Sequence, residues 1–243
     1  MALLIPFYNE EKRFDRSQFE LLCELLPDSQ IYFIDDGSSD QTLPTLVRFM
    51  ESHKDYKIKL IVNDANLGKA ESLRRGLIEA MSDRNNEIIA FTDGDLATPP
   101  QEILRFLDHV LMVKRYAYLG VRTKNSHHVK TTHFRKVQGE IFNGLSKSLL
   151  RLDLQDPQCG MKAFRVSPSL RDVVNTPFVN KWLFDLELLL RLKVTESSFS
   201  YKEISLDEWN HKRESKVKLS DPIVMLLSLF RLRHTYLSKS YRK

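Results

Sequence analysis

Cysteine is scarce. Cys23 and Cys159 are the two in 243 residues; they make no disulfide framework and have no metal-ligand spacing, which favours a reducing compartment over zinc held through thiolates. Long apolar runs are missing as well. The longest, Pro222 to Phe230, falls well short of the roughly 20 residues needed to cross a bilayer, so no membrane span is expected. At the start, MALLIPFYNEEKR turns charged after a short apolar run and carries no basic leader, so it reads as a first strand and not as a signal peptide. No GxGxxG follows that strand and no GxxxxGKS/T occurs, which excludes the dinucleotide fingerprint and the Walker loop and leaves phosphates to be held another way. The eight glycines fall singly and read as turn residues, and no repeat or Gly/Ser linker marks a domain boundary.

What is present is a positive charge excess and a regular rhythm of apolar runs. A net charge of +5 and a pI near 9.1 suit an anionic partner: nucleic acid, a phosphorylated substrate or an acidic membrane surface. With 42% hydrophobic and 28% charged residues, the length suits one large α/β domain or two small ones. Short apolar runs at Ala2 to Ile5, Ile31 to Ile34, Ile58 to Val62, Ile88 to Thr92 and Ala117 to Val121 alternate with helical periodicity at Phe14 to Leu26, Gln41 to His53, Lys69 to Met81 and Gln101 to Val113. That alternation predicts a doubly wound α/β fold, a mostly parallel sheet with helices on both faces. After Arg122, TKNSHHVKTTHFRK is polar and basic and reads as a loop; a helix from about Lys136 to Leu152, the segment DPQCGMKAFR, a short apolar helix WLFDLELLLRL and a basic tail follow.

The chemistry gathers where strands end. FTDGDLATPP places Asp93 and Asp95 at the carboxyl end of the fourth strand, where Asp-Gly and then Pro-Pro stop it. Residues two apart in an extended segment point to one side, so the two carboxylates can share a hard divalent cation such as Mg²⁺ or Mn²⁺. Read as a turn alone, the same residues cap, allow positive φ and start a helix. Pro6 is expected to end the first strand, with Tyr8, Asn9 and Glu10 offering an aromatic face and hydrogen-bonding groups for a nucleobase. DDGSSDQT follows the second strand; Asp36 and Asp40 suit Asx turns and caps, and the doubled Asp35 and Asp36 exceed what a turn needs. Gly68 and Lys69 open a helix after the third strand, and a lysine there opposes the helix dipole unless it meets an anion. His127, His128 and His133 mimic metal spacing in the loop after Arg122, but the strand-end carboxylates already account for a hard cation.

PFYNEE, DDGSSDQT, NLGKAESLRRG and TDGDL, in this order, resemble the nucleotide-sugar half of the GT-A glycosyltransferases of family 2. DPQCGMKAF, WLFDLELLLRL and EWNHKRESKV narrow the likeness to the polyprenyl-phosphate sugar transferases, the dolichyl-phosphate glucosyltransferase and dolichyl-phosphate mannose synthase group. The resemblance runs from Ala2 to about Arg233. It implies that Pro6, Tyr8, Glu10 and Asp36 contact the base and ribose of the donor, with Lys69 near the same nucleotide. It makes Asp93, Gly94 and Asp95 the metal and diphosphate site. Arg122 and Arg135 match the acceptor loop, and Ser215 and Lys216 a late pair that approaches phosphate. Asp185 and Glu187 are carboxylates near a core, either of which can face the sugar, while Trp182, Leu183, Leu186 and Leu190 fit a packed helix face. Gly94 stands where relatives usually carry Ala, a change that a turn tolerates.

The resemblance, with the strand-end carboxylates beside it, implies an inverting, metal-dependent enzyme that moves a hexose, glucose before mannose, from UDP-glucose or GDP-mannose to a dolichyl or undecaprenyl phosphate. The expected organisation is a catalytic domain over 1–221 and a basic amphipathic helix or tail over 222–243. That tail serves either as a peripheral contact with the cytoplasmic face of a membrane or as a core helix. Two competitors stand beside it. A family 2 enzyme acting on a hydroxyl needs a carboxylate base, for which Asp185 or Glu187 is the candidate. A non-catalytic basic module would bind membrane or nucleic acid, although acids clustered at the cleft repel nucleic-acid phosphates.

Overall fold

The computed structural model describes residues 1–122, 144–210 and 221–238. Its seven strands are β1 (Ala2–Phe7), β2 (Gln30–Asp35), β3 (Ile58–Val62), β4 (Ile88–Phe91), β5 (Ala117–Arg122), β6 (Lys162–Arg165) and β7 (Tyr201–Leu206). They form one sheet in the order β3-β2-β1-β4-β6-β5-β7. Every pairing is parallel except those of β6, which runs antiparallel between β4 and β5. The helices are α1 (Arg16–Leu25), α2 (Thr42–Ser52), α3 (Lys69–Ser82), α4 (Pro100–Met112), α5 over 144–150, α6 (Pro168–Asn175), α7 (Phe184–Thr195) and α8 (Asp221–Leu237).

The central strands are buried on both faces, so they read as continuous apolar runs and not as alternations. Leu3 and Ile5 of β1 pack with Phe33, Phe19, Phe49 and Phe106 beneath α1, α2 and α4. Ala2 and Leu4 point the other way, into a layer with Leu73 of α3, Val174 of α6, Leu189 of α7 and Leu232 of α8. The chain builds outward from β1 to β2 and β3, then crosses to β4 on the other side. Between β1 and β4 the winding direction changes, and a crevice opens at such a switch point beyond the strands' carboxyl ends.

Three details depart from the sequence expectation, and a fourth bears on the core-helix reading of the tail. First, β1 does not stop at Pro6. It pairs with β2 through Phe7 but with β4 only from Ala2 to Leu4. The Leu4 carbonyl takes Thr92 N–H at 3.2 Å and the Phe7 carbonyl takes Asp36 N–H at 2.8 Å. By alternation the missing Pro6 donor faces the β4 side after that ladder has ended, so no bond is lost. Second, β6 and β7 complete the sheet where no strands were expected. Third, Trp182 precedes α7 and is 49% exposed, whereas Leu183, Leu186 and Leu190 are buried. Fourth, α8 belongs to the same core as the sheet: Leu229, Leu232 and Tyr236 are buried in it. The region from Thr123 to Asn143 and the His127, His128 and His133 group lie outside the described residues.

Candidate active site

Residues 93–96 leave β4 in a tight turn closed by Leu96 N–H to the Asp93 carbonyl at 3.1 Å. Leu96, a bulky residue, holds φ at +48°, a strained conformation of the kind that concentrates at functional sites. Gly94 is demanded by close approach. A Cβ there would lie 2.6 Å from the Pro6 carbonyl oxygen and 2.9 Å from the Phe7 ring. Glycine here, where relatives usually carry Ala, is thus more than a change the turn tolerates: it relieves a close approach. The turn delivers Asp93 and Asp95 to the switch point between β1 and β4.

Both carboxylates meet cations. Lys69, the first residue of α3, donates its ammonium to Asp93 Oδ1. Asp95 Oδ1 accepts from Ala97 N–H at 3.1 Å, and Arg13 Nη1 lies 3.6 Å from Asp95 Oδ2 while its other nitrogen holds Glu10. Burial pushes the Asp93 carboxyl up, but Lys69, then Lys162 and Arg122, outweigh it and hold the group below the usual carboxylate range. For Lys69 burial favours loss of the proton, and Asp93, Asp185 and Asp95 reverse that, leaving it above the ordinary lysine value. These shifts place Lys69, Asp93, Asp95, Lys162, Asp185 and Arg122 within one electrostatic neighbourhood.

Antiparallel β6 enters the cleft from its amino end. A Cβ on Gly160 would fall 2.1 Å from Asp93 Oδ2, so a larger residue here would force the Asp93 carboxylate to swing away from its place. Lys162, 1% exposed, uses its ammonium on the Pro157 carbonyl at 3.1 Å, the Cys159 carbonyl, and Asp185 Oδ2 at 2.7 Å. Gly160, Lys162 and Arg13 were not singled out in the sequence. A lysine inside a four-residue strand gives no period, although it lies within the DPQCGMKAF motif. Cys159 is buried as expected, and its thiol is pushed up to about 11, chiefly by burial.

Arg122, at the end of β5, forms a fork on Asp156, Nε to Oδ2 at 2.6 Å and Nη2 to Oδ1 at 2.8 Å. Its guanidinium also lies 5.1 Å from the Trp209 ring centroid. Tyr8, the residue after β1, is 37% exposed. Asp36, expected as a nucleotide contact, is tied to the loop that presents Lys69: Oδ1 accepts from Asn63 Nδ2 and Leu67 N–H and Oδ2 from Gly68 N–H, each at 2.9 Å. Glu187, one of the two carboxylates offered for the sugar, is fully buried and accepts from Val179 N–H, Asn180 N–H, Arg191 and Tyr236. Asp185 alone of that pair stands beside the cleft cations. Arg135, Ser215 and Lys216 lie outside the described residues.

The donor set decides what the cleft can hold. Among the described residues no group of three or more His, Cys, Asp and Glu converges. Two carboxylates at an open turn fit Mg²⁺ or Mn²⁺, which take one or two carboxylates and complete their shell with waters and ligand phosphates.

A mostly parallel sheet with a polar cleft at its carboxyl edge is a nucleotide-binding class of α/β protein. Residues 2–171 match the family model described as glycosyl transferase family 2, and the chain belongs to that family. It is 29% identical over 226 residues to glycosyltransferase AglD of Haloferax volcanii, covering 90% of this chain and 34% of that protein. It is 28% identical over 251 residues to dolichyl-phosphate beta-glucosyltransferase ALG5D of Trichomonas vaginalis, covering 96% and 72%. The chain thus spans about a third of the archaeal relative and nearly three quarters of the protist one. In fold it is similar to glucosyl-3-phosphoglycerate synthase of Mycobacterium tuberculosis, crystallised with Mn²⁺, UDP and phosphoglyceric acid. That likeness has a TM-score of 0.70 at 17% identity and covers 98% of this chain and 78% of that one. The sheet is the GT-A architecture that the sequence led us to expect. Among the described residues no helix is long and apolar enough to cross a membrane.

Proposed function

We propose that this protein transfers a hexose, glucose before mannose, from a nucleoside diphosphate sugar to a polyprenyl phosphate such as dolichyl phosphate. The observation that carries this reading is the pair Asp93 and Asp95 at the β1/β4 switch point, ringed by Lys69, Arg13, Lys162 and Arg122. The relatives named for dolichyl phosphate support the acceptor class. The neighbours crystallised with nucleotides and Mn²⁺ have the same fold. Tyr8 and Glu10 would border the base and ribose. Asp93 and Asp95 would hold Mg²⁺ or Mn²⁺ against the donor diphosphate. When bound, the cation supplies charge neutralisation for the departing diphosphate.

The remaining steps belong to side chains. Lys69 would leave Asp93 for a phosphate oxygen, and its ammonium would stabilise the charge that develops on the leaving group. Asp185, oriented by Lys162 and by Leu186 N–H at 2.9 Å, would accept a sugar hydroxyl and fix the ring. Arg122, with Arg135, Ser215 and Lys216, would bind the acceptor phosphate. A phosphate monoester has its second pKa near ~6 and is largely dianionic at neutral pH, so it attacks without a general base. One oxygen displacing the diphosphate from the opposite face inverts the anomeric centre. The hydroxyl-acceptor alternative needs a carboxylate base. Here Glu187 is enclosed, and Asp185 is ion-paired to Lys162, which favours phosphate as the nucleophile.

The test is direct. The protein is incubated with labelled UDP-glucose or GDP-mannose, Mn²⁺ or Mg²⁺, and either dolichyl phosphate or dolichol. Labelled lipid formed from the phosphate, lost with chelator and in Asp95→Asn, is the expected result. Transfer to dolichol alone, or transfer unaffected by chelator, would reverse the acceptor or metal assignment.

A further inference from the structure

The amino edge of the sheet, opposite the acidic cleft, carries a second polar site. There α3 has ended, β4 and β5 begin, and antiparallel β6 finishes. These segments line a groove of about 710 Å³, with Arg84, Lys114, Arg165 and Arg171 around it and Glu87 as its one carboxylate. None of the four cations forms an ion pair among the described residues. Arg171 is fixed by Nη1 on the Met81 carbonyl at 2.7 Å. Arg165 is the last residue of β6, and its Nε is buried with no acceptor.

Two independent features therefore ask for an anion. Like charges sharing a groove repel one another, and most basic residues of the cleft on the other edge have met a carboxylate while these have not. A buried donor without a partner is also rare in native structures and calls for an ion or water to complete it. We propose that this groove is a second anion site, which takes a compact, multiply charged phosphate anion. Guanidinium groups match phosphate oxygens through several N–H donors, and Arg84, Arg165 and Arg171 bring such groups to the groove beside the Lys114 point charge, although Arg171 Nη1 already serves the Met81 carbonyl and Arg165 Nη2 lies 3.5 Å from the Tyr118 hydroxyl. A monoanion would leave most of that charge uncompensated. The groove lies at the far edge of the sheet from Asp93 and Asp95, so the proposal stands apart from the transferase reading. A free diphosphate compound and the phosphate headgroup of an acidic lipid share this chemistry.

Calorimetric titration of the full chain with inorganic pyrophosphate tests it, in chelator so that no divalent cation bridges the ligand to Asp93 and Asp95. One binding event is expected. It should weaken at least tenfold in Arg84→Ser/Lys114→Ser, whose side chains are exposed, with thermal unfolding unchanged; Arg165→Met should weaken it comparably. In a parallel arm, phosphatidylcholine vesicles with and without phosphatidate are floated with the protein. Capture that requires phosphatidate and vanishes in the same double variant assigns the anion to a lipid headgroup. The proposal is overturned by an equal loss in Lys69→Ala, or in Arg48→Ser/Lys54→Ser, which removes two exposed cations elsewhere. Absence of binding in both arms overturns it as well.

Discussion

At the residue scale, Gly94 and Asp156 show how tightly the cleft is specified. Gly94→Ala would drive a methyl group into the Pro6 carbonyl and the Phe7 ring. Overpacking of this kind costs about 1–3 kcal/mol, and because the strain lies within the turn that aims Asp93 and Asp95, nucleotide affinity should fall with stability. Urea denaturation and calorimetry of the variant check both; an unperturbed protein would mean that the turn relaxes freely. Asp156 makes a different prediction. Burial raises its pKa, but the hydrogen bonds and charge of Arg122 outweigh burial and leave it depressed. The unfolded chain therefore takes up this proton first as acid is added. The stabilisation is complete above the ordinary value of about 3.9 and disappears as pH falls through the lower folded value. Asp156→Asn should cost about 2 kcal/mol at neutral pH and flatten the acid limb of stability against pH. Parallel limbs for variant and wild type would show that the pair is not linked to folding. Lys69→Met should tighten Mn²⁺ binding without nucleotide, since the ammonium occupies Asp93, yet weaken nucleoside diphosphate binding. Free Mn²⁺ measured by electron paramagnetic resonance reads the first effect, and unchanged affinity would remove Lys69 from competition with the metal.

At the scale of elements, α7 is enclosed on nearly every side: Leu186 to Leu192 are all buried, including Glu187 and Arg191. The two charges survive there because they pair at 2.6 Å and because each has further partners. Arg191 reaches the Val173, Thr176 and Pro177 carbonyls, and Tyr236 of α8 donates to Glu187 at 2.8 Å. Arg191→Met strands a buried carboxylate, and loss of one partner from such a pair costs about 3–5 kcal/mol. A urea midpoint within error of wild type would mean that Glu187 finds another partner or a proton. The network also explains what the sequence concealed. The strands β1 to β5 and helices α1 to α4 were legible because each is an apolar run or a helical period bounded by turn residues. Strand β6 reads KAFR, with a lysine whose three acceptors come from other segments, so no local pattern announces it. Strand β7 reads YKEISL and lies at the sheet edge, where charged residues suit solvent and mask the alternation. In the cleft, Asp93, Asp95 and Lys69 were legible as strand-end chemistry. Gly160 and Lys162 were not, because their importance comes only from the approach of β6 to Asp93.

At the scale of the whole molecule, the question is how a protein with no described membrane-crossing helix would reach a lipid phosphate. Helix α8 has two faces at helical spacing. Leu229, Leu232 and Tyr236 are buried in the core, while Val224, Leu227 and Phe230 are 42%, 65% and 50% exposed, with Arg231 and His234 exposed beside them. Met225 meets Gln158 of the loop that carries Asp156, so the helix begins next to the proposed acceptor side of the cleft. The core-helix and anchor readings of this segment thus belong to opposite faces of one helix. Cutting the chain at residue 231 would remove Leu232 and Tyr236 from the core, each worth on the order of 1.5–3 kcal/mol, so truncation would confuse folding with binding. Leu227→Ser/Phe230→Ser touches only the exposed face. It should leave thermal unfolding unchanged and transfer to a short soluble polyprenyl phosphate intact, while lowering recovery on anionic vesicles in sedimentation. The residual electrostatic part, about 1 kcal/mol per basic residue near the surface, should fall as salt rises. Equal vesicle recovery by variant and wild type, at every salt concentration, would show that α8 is a structural helix and that the lipid meets the protein elsewhere.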